Sequence, residues 1–125
     1  MIEKEKDLEK RSVREVFEDH LALAQKGELE KDLERNYAPD SVLLTNYGVF
    51  HGRKGMKEAA ELLESQLPGG NYNYELKLCH DEICFLHWTG KSDISVIPDG
   101  ADSYLIKEGK IKVQTIYYPV EKVPE

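Results

Sequence analysis

Apolar residues recur at helical spacing in three stretches of the first half of the chain. Over residues 8–24 they lie three or four positions apart and charged residues take the other positions, which predicts an amphipathic helix that Gly27 ends. A four-residue step over 29–37 predicts a shorter second helix, ended by the Ala38-Pro39 pair. A third pattern, over 56–67, stops at Pro68-Gly69-Gly70. Three helices are therefore expected near the amino terminus.

Strand patterns follow the second helix and dominate the second half of the chain. Residues 41–45 and 47–51 are rich in β-formers and predict a short strand pair that turns at Asn46. Longer runs that favour strands cover 72–80, 83–91 with an extension to 97, 101–107 and 110–120. The breaks at 81–82, 98–100 and 108–109 have the length of hairpin turns, so these strands are expected to be antiparallel. Helices gathered ahead of hairpins indicate an α+β fold.

Length and charge narrow the classes of partner. The chain has 125 residues, which favours a single domain over 1–125. Its net charge is −7, which repels phosphate backbones, and it has no apolar run long enough to cross a membrane. We therefore expect a cytoplasmic protein whose partners are small molecules or proteins, with no nucleic acid and no membrane.

Cys79 and Cys84 flank the first predicted hairpin turn and face each other across it if the turn centres on Asp81-Glu82. A disulfide is conceivable there, but in a reducing cytoplasm two thiols are more often small apolar side chains, so free thiols are expected. His80 and His87 extend the pair to a zinc-like set. However, strand alternation turns His87 away from Cys84, so no metal site is expected.

Five short motifs occur in an order that resembles the nuclear transport factor 2-like superfamily, and within it the SnoaL-like proteins. They are Tyr37-Ala-Pro-Asp-Ser-Val42, His51-Gly-Arg-Lys-Gly55, Trp88-Thr-Gly90, Asp99-Gly-Ala-Asp-Ser103 and Gly109-Lys-Ile-Lys-Val-Gln-Thr115. The resemblance implies a cone-shaped α+β barrel of the cystatin-like kind, with three N-terminal helices packed on a curved, mixed, mostly antiparallel sheet. It also implies a homodimer through the outer face of the sheet.

The superfamily includes ketosteroid isomerase, polyketide cyclases, dehydratases and proteins that only bind, so the fold alone does not decide the function. Laid over the isomerase pattern, the oxyanion-donor position falls on His20, the protonated pocket aspartate on Asp102 and the general base on Thr45. A threonine cannot take a proton from carbon near neutral pH, which disfavours steroid isomerisation. The resemblance leaves His20 and Asp102 as a hypothetical acid–base pair that meets at the polar end of the cone.

The same overlay, with strand alternation, indicates which side chains face the cone. The inward set is Cys84, Leu86 and Trp88 on one strand and Gln114, Ile116 and Tyr118 on the last. With Thr45 these give a mostly apolar wall with a few polar groups, which is typical of a site for a small apolar or amphipathic molecule. Val113, Thr115 and Tyr117 face the other side and need a second cover, which again favours a homodimer.

Each candidate residue also has a structural interpretation. His20 fits a core histidine, Asp102 a turn-forming aspartate, and Trp88 a sheet-core residue. The leading hypothesis is a small-molecule-binding domain that needs no cofactor. The alternatives are an isomerase, cyclase or dehydratase that uses His20 and Asp102, and an interaction or assembly module whose cone is filled by side chains.

Overall fold

A computed structural model describes residues 5–124 of the chain. The helices are α1 (Glu5–Glu9), α2 (Val13–Lys26), α3 (Leu29–Asn36) and α4 (Gly52–Gln66). The strands are β1 (Tyr37–Thr45), β2 (Gly48–His51), β3 (Asn71–His80), β4 (Ile83–Lys91), β5 (Ser95–Lys107), β6 (Lys110–Tyr117) and β7 (Glu121–Lys122). The α+β class and the helix-first order predicted from the sequence are confirmed.

The start of α2 is fixed by a capping box. The Ser12 hydroxyl accepts a hydrogen bond from the Glu15 amide at 3.1 Å, and the Glu15 carboxylate accepts one from the Ser12 amide at 2.8 Å. Gly27 ends the helix at φ 71°, a left-handed conformation that glycine adopts without a Cβ clash. The prediction of one helix over 8–24 is therefore wrong at its start, because Ser12 caps α2 and leaves Leu8 in the separate helix α1.

The second predicted helix ends one residue early, at Asn36, and Tyr37 opens β1. Pro39 cannot donate an amide hydrogen bond, so the helix ends ahead of it as expected. Pro39 nevertheless lies inside β1. It is tolerated there because the pairing of β1 with β6 shifts register between Tyr37 and Val42, and Pro39 is exposed within that irregular stretch.

The sheet has the strand order β2-β1-β6-β5-β4-β3, with β7 added against β5. β1 runs parallel to β6 and every other pair is antiparallel, so the sheet is mixed and mostly antiparallel, as the resemblance implied. Helices α2, α3 and α4 cover one face, which we call the inner face. The apolar side chains buried most completely there include Phe17, Leu67, Ile97, Ile106 and Ile111.

The predicted hairpin break at residues 98–100 is wrong. β5 runs without interruption through Gly100, and the turn from β4 falls earlier, at Ser92, whose amide donates to the Ser95 carbonyl at 2.9 Å. Gly100 can stay in the strand because it lies opposite Trp88, where an added Cβ would lie 2.3 Å from the indole Cε2. Ile97 accordingly belongs to β5 and not to an extension of β4.

Cys79 and Cys84 are joined by a disulfide bond across the β3–β4 hairpin. They are direct partners in the strand register and their Cα atoms are 4.1 Å apart. The expectation of free thiols is therefore wrong. That expectation rested on the rarity of disulfides in a reducing compartment. Local geometry outweighs it here, because the hairpin turn at 81–82 brings the two side chains together on the inner face.

Across residues 5–124, no helix combines the length and apolar character that crossing a membrane requires.

Candidate functional site

A cavity of about 600 Å³ lies between the inner face of the sheet and helices α2 and α4. Much of its wall is apolar, with Leu21, Leu43, Met56 and Leu86 among the lining residues. Exposed residues such as Tyr47, Gln25 and Glu61 form its rim, whereas its deepest part is a cluster of buried polar side chains. The polar chemistry is thus concentrated at the buried end.

Asp102 lies at the centre of this cluster on β5. Its Oδ1 accepts a hydrogen bond from the Trp88 indole nitrogen at 2.8 Å. Its Oδ2 accepts one from the Tyr104 hydroxyl at 2.8 Å and one from the Gln114 amide at 3.2 Å. Gln114 in turn accepts a hydrogen bond from the Tyr37 hydroxyl. Asp102 is 6% exposed and its carboxyl group has three donors, so the turn-forming interpretation does not describe its position.

His20 joins the same cluster from α2 and uses both ring nitrogens. Nδ1 lies 2.7 Å from Asp32 Oδ2, and Nε2 lies 3.1 Å from the Tyr104 hydroxyl oxygen. Asp32, on α3, is 3% exposed and its other oxygen accepts a hydrogen bond from Asn36 at 2.9 Å. His20 is therefore held from two sides.

The expected direct meeting of His20 and Asp102 is replaced by a bridged one. The Tyr104 hydroxyl stands between them, and the carboxylate that contacts the imidazole is Asp32. The overlay missed this because it carried over single positions of the isomerase pattern and assigned no partner on α3. The role of His20 and Asp102 as an acid–base pair stays a prediction.

Burial and nearby charge shift the pKa values of the cluster in opposite ways. Burial raises the pKa of Asp102 to about 6, although hydrogen bonds from Tyr104 and Trp88 and the charge of His20 oppose the rise. Burial alone would lower the pKa of His20, but the charge and hydrogen bond of Asp32 outweigh it and the pKa is raised. Burial also raises the pKa of Tyr104 well above its usual value. An imidazole and a carboxyl group, both with raised pKa values, thus lie on either side of one neutral hydroxyl.

Several solved structures are similar to this chain in fold. A Mesorhizobium loti protein proposed to be a SnoaL-like polyketide cyclase matches with a TM-score of 0.67 at 20% identity, over 86% of this chain and 100% of that one. A Burkholderia xenovorans nuclear transport factor 2-like protein of unknown function matches with a TM-score of 0.72 at 12% identity, over 97% and 91%. TerC, co-crystallised with polyporic acid, matches with a TM-score of 0.69 at 15% identity, over 86% and 91%. The chain has the nuclear transport factor 2-like fold.

The fold expectation drawn from the five short motifs is thereby confirmed, including the cone shape of this fold. No protein-family model matches the chain, and no curated protein matches its sequence. At identities of 20% or less, the nuclear transport factor 2-like structures establish the shape and leave the chemistry to the residues of this chain.

Within the nuclear transport factor 2-like fold, all eight sequence-predicted site residues lie on the cavity wall. They are His20, Thr45, Leu86, Trp88, Asp102, Gln114, Ile116 and Tyr118. Their roles toward a ligand stay predictions. The set divides into the buried polar cluster, the apolar wall and the rim.

Thr45 and Tyr118 lie near the rim and are already engaged. The Thr45 hydroxyl donates to the Gly48 carbonyl at 3.0 Å and accepts from the Tyr47 amide at 2.8 Å, so it closes the β1–β2 turn. The Tyr118 hydroxyl donates to Gln66 at 2.7 Å, and its ring lies 5.8 Å from that of Trp88. Tyr118 therefore presents mainly its ring to the cavity.

Sequence reasoning missed Asp32, Tyr104 and Tyr37, and each had a signal. Asp32 and Asn36 share the four-residue spacing of the buried face of α3, where a polar residue needs a buried partner. Tyr104 lies two positions after Asp102, so strand alternation places both on the inner face. Tyr37 was assigned to a helix end and so was never considered for the sheet.

Proposed function

We propose that this protein binds a small, largely apolar molecule in the cavity, with a polar group of the ligand directed at the buried cluster. The observation that carries the proposal is the cavity itself, because about 600 Å³ lies within the range of small-molecule sites. An apolar wall with a few convergent polar groups at one end is the usual composition of such sites. The co-crystallisation of the structurally similar protein TerC with polyporic acid is in keeping with this use of the fold.

Trp88 provides a direct test because it is the only tryptophan of the chain and lines the cavity. Binding of 8-anilinonaphthalene-1-sulfonate, followed by a panel of hydrophobic small molecules, is expected to change Trp88 emission and raise the melting temperature. Ala60→Phe, on the cavity wall, should abolish both responses by filling the space. The matched control is Ala22→Phe on the exposed side of α2, which should preserve them. Equal responses in the two variants would refute binding in the cavity.

The second candidate function is an isomerase, cyclase or dehydratase that uses His20 and Asp102. It is supported by the buried carboxyl group whose pKa is raised to about 6, since acid–base catalysts work best near the operating pH. Turnover of a cavity-binding compound, lost in Asp102→Asn with binding retained, would establish it. Binding without turnover would leave the first proposal alone.

The third candidate, an interaction module with a filled cone, has less support because the cavity is not filled by side chains. If it were correct, Ala60→Phe would behave like the wild type in every binding assay.

We also propose a homodimer that covers the outer face of the sheet. Large apolar side chains exposed on that side or at its edge are Leu44, Val49, Leu78, Ile83 and Tyr117. Tyr117 is 57% exposed, and a surface of this kind favours a protein partner. Light scattering at micromolar concentration is expected to give twice the chain mass. Tyr117→Lys should reduce the mass to one chain, and Glu58→Lys on exposed α4 should not; a wild-type monomer would refute the dimer.

A cytoplasmic location is also part of the proposal, although the Cys79–Cys84 disulfide counts against it. Disulfides rarely persist in a reducing cytoplasm. Thiol trapping in intact cells, read by mass spectrometry, should find both thiols free if the protein is cytoplasmic. A bridged pair would indicate an oxidising compartment.

A further inference from the structure

The buried end of the cavity contains four side chains in an unbroken hydrogen-bonded chain. Asp32 Oδ2 lies 2.7 Å from His20 Nδ1, His20 Nε2 lies 3.1 Å from the Tyr104 hydroxyl oxygen, and that hydroxyl lies 2.8 Å from Asp102 Oδ2. All four residues are buried. The chain needs no intervening water, because each link is a direct contact.

Two proton arrangements satisfy every link of this chain. In the first, His20 is an imidazolium ion that donates to both Asp32 and the Tyr104 oxygen, and Tyr104 donates to an ionised Asp102. In the second, His20 is neutral with its proton on Nδ1, Tyr104 donates to Nε2, and a protonated Asp102 donates to the Tyr104 oxygen. The two differ in whether His20 or Asp102 holds the additional proton and in the direction of the Tyr104 hydroxyl, which can both donate and accept.

We propose that His20, Tyr104 and Asp102 form a proton relay, in which one proton moves between the imidazole and the carboxyl group through the Tyr104 hydroxyl while Asp32 positions the imidazole. A proton leaves His20 Nε2 for the Tyr104 oxygen as the original hydroxyl proton passes to Asp102 Oδ2. An imidazolium–carboxylate pair thereby becomes an imidazole and a carboxylic acid, and Tyr104 ends neutral. No other reactant is needed.

The relay gives the cavity a group that can change its hydrogen-bonding role. Asp102 lines the cavity, so when it holds the proton that proton can turn from the Tyr104 oxygen to a ligand acceptor, and when it does not the carboxylate offers only acceptors. This use of the relay rests on the proposed binding function. A carbonyl oxygen of a ligand would favour the protonated form of Asp102, and a hydroxyl group would favour the ionised form.

The surroundings act on the two arrangements in opposite directions. The titratable groups that face the relay are Asp19 from α2, Asp32 from α3, Tyr37 from β1 and Tyr74 from β3. Asp19 and Asp32 favour charge on His20, while burial disfavours charge on both His20 and Asp102. Gln114 donates to Asp102 and lies 3.4 Å from the Tyr104 oxygen, so it stays paired in either arrangement.

Nuclear magnetic resonance of the ligand-free protein tests the relay, so its failure is distinguishable from a failure of ligand binding. Histidine labelled with ¹⁵N and aspartate labelled with ¹³C at the carboxyl group report His20 Nε2 and Asp102 through a pH titration. In the wild type, the two signals are expected to share their midpoints, because coupled groups titrate as a pair. Throughout the Asp102 titration, Nδ1 should stay protonated while Nε2 changes.

Tyr104→Phe removes the bridging oxygen and leaves the two charged groups in place. The midpoints of His20 Nε2 and Asp102 are then expected to separate by about one pH unit or more. The matched control is Tyr74→Phe, which removes another hydroxyl of the cavity wall, one bonded to the Leu21 carbonyl at 3.3 Å, and should keep the midpoints shared. Shared midpoints in Tyr104→Phe would show that charge alone couples the groups and would overturn the relay.

The wild-type titration decides the question even if Tyr104→Phe does not fold. Separate midpoints for Nε2 and Asp102 in the wild type would refute the relay without any variant. The positioning role of Asp32 is tested by Asp32→Asn, in which the neutral imidazole should lose its preference for the Nδ1 proton. An unchanged ¹⁵N pattern in that variant would refute the role of Asp32.

Discussion

The inner and outer faces of the sheet differ in the exposure of their side chains, even between neighbouring positions of the same strands. One inner row crosses Leu86, Asp102, Ile116 and Thr45, and the outer row beside it crosses Leu78, Phe85, Ser103, Thr115, Leu44 and Val49. Leu86 is 2% exposed, whereas Val49 is 71% exposed. The sheet therefore has one face that the helices and the cavity cover and one face that lies open in the single chain.

Polar side chains on the two faces also differ in how they are hydrogen-bonded. On the inner face the polar side chains of the cluster all bond to one another, and within residues 5–124 the only buried, unpaired side-chain polar atom is the Ser41 hydroxyl, which lies off the cavity wall. On the outer face His87 pairs with the exposed Asp99, and water competes for both. Burial makes an unpaired polar group costly, so the polar residues of the inner face form a network, whereas His87 and Asp99 on the outer face form an isolated pair. The effects of a substitution on the inner face should therefore extend to neighbouring residues, whereas those of a substitution on the outer face should stay local.

The largest effect is expected from shortening an aliphatic side chain on the inner face. Leu86→Ala removes buried apolar contacts from the wall of the cavity and should lower the free energy of unfolding by about 3 kcal/mol. Ile83→Ala is the matched control on the same strand; its side chain is 59% exposed, so its cost should be below about 0.5 kcal/mol. Urea unfolding of both variants checks this.

Running the Ile83→Ala measurement at several protein concentrations sharpens the comparison. A cost that grows with concentration would mean that a second chain covers the outer face, in line with the proposed dimer. Equal, concentration-independent costs for the two variants would contradict the difference between the faces.

The second effect is a pH dependence that belongs to the inner face alone. The pKa of Asp102 is raised to about 6, above its ordinary value of 3.8, so the folded protein keeps a proton that the unfolded chain has lost. The stability is therefore fully present below about pH 4 and falls as the pH rises through about 6, by about 2 to 3 kcal/mol. The raised pKa of His20 continues the fall above its ordinary 6.5.

Asp102→Asn should flatten this fall between pH 4 and 7, as measured by urea unfolding at each pH. Asp93→Asn, in the exposed turn between β4 and β5, is the control and should leave the curve parallel to that of the wild type. If Asp102→Asn also ran parallel to the wild type, the carboxyl group would have an ordinary pKa in the folded state.

The sequence predicted which strand residues face inward and which face outward. Strand alternation correctly turned Leu86, Trp88 and Gln114 inward, because a period of two follows directly from strand geometry. Strand alternation also correctly placed Tyr117 on the outer face. The helix-first order and the mixed sheet followed from apolar spacing and from the motif resemblance.

The failures arose where one local signal had a long-range competitor. Pro98-Asp99-Gly100 has turn composition, yet it lies in β5 because Trp88 needs Gly100 beneath its ring. The partner of His20 could not be assigned because Asp32 is twelve residues away, on another helix, and only tertiary packing brings them together. Free thiols were expected from the compartment, whereas the register of β3 and β4 decided their pairing.

The smallest effect is expected where the inner face is held covalently. Cys79 and Cys84 occupy the inner row that continues through Tyr104 and Gln114, while the adjacent outer pair, Leu78 and Phe85, has no covalent link. A disulfide that closes so short a loop removes little entropy from the unfolded chain, so reducing it should cost about 2 kcal/mol. Urea unfolding with and without dithiothreitol measures the cost, and mass spectrometry confirms that both thiols are free.

The double variant Cys79→Ala/Cys84→Ala is the control, because it should not respond to dithiothreitol. A wild type whose stability is unchanged on full reduction would show that hairpin packing alone holds this end of the inner face, as it does on the outer one.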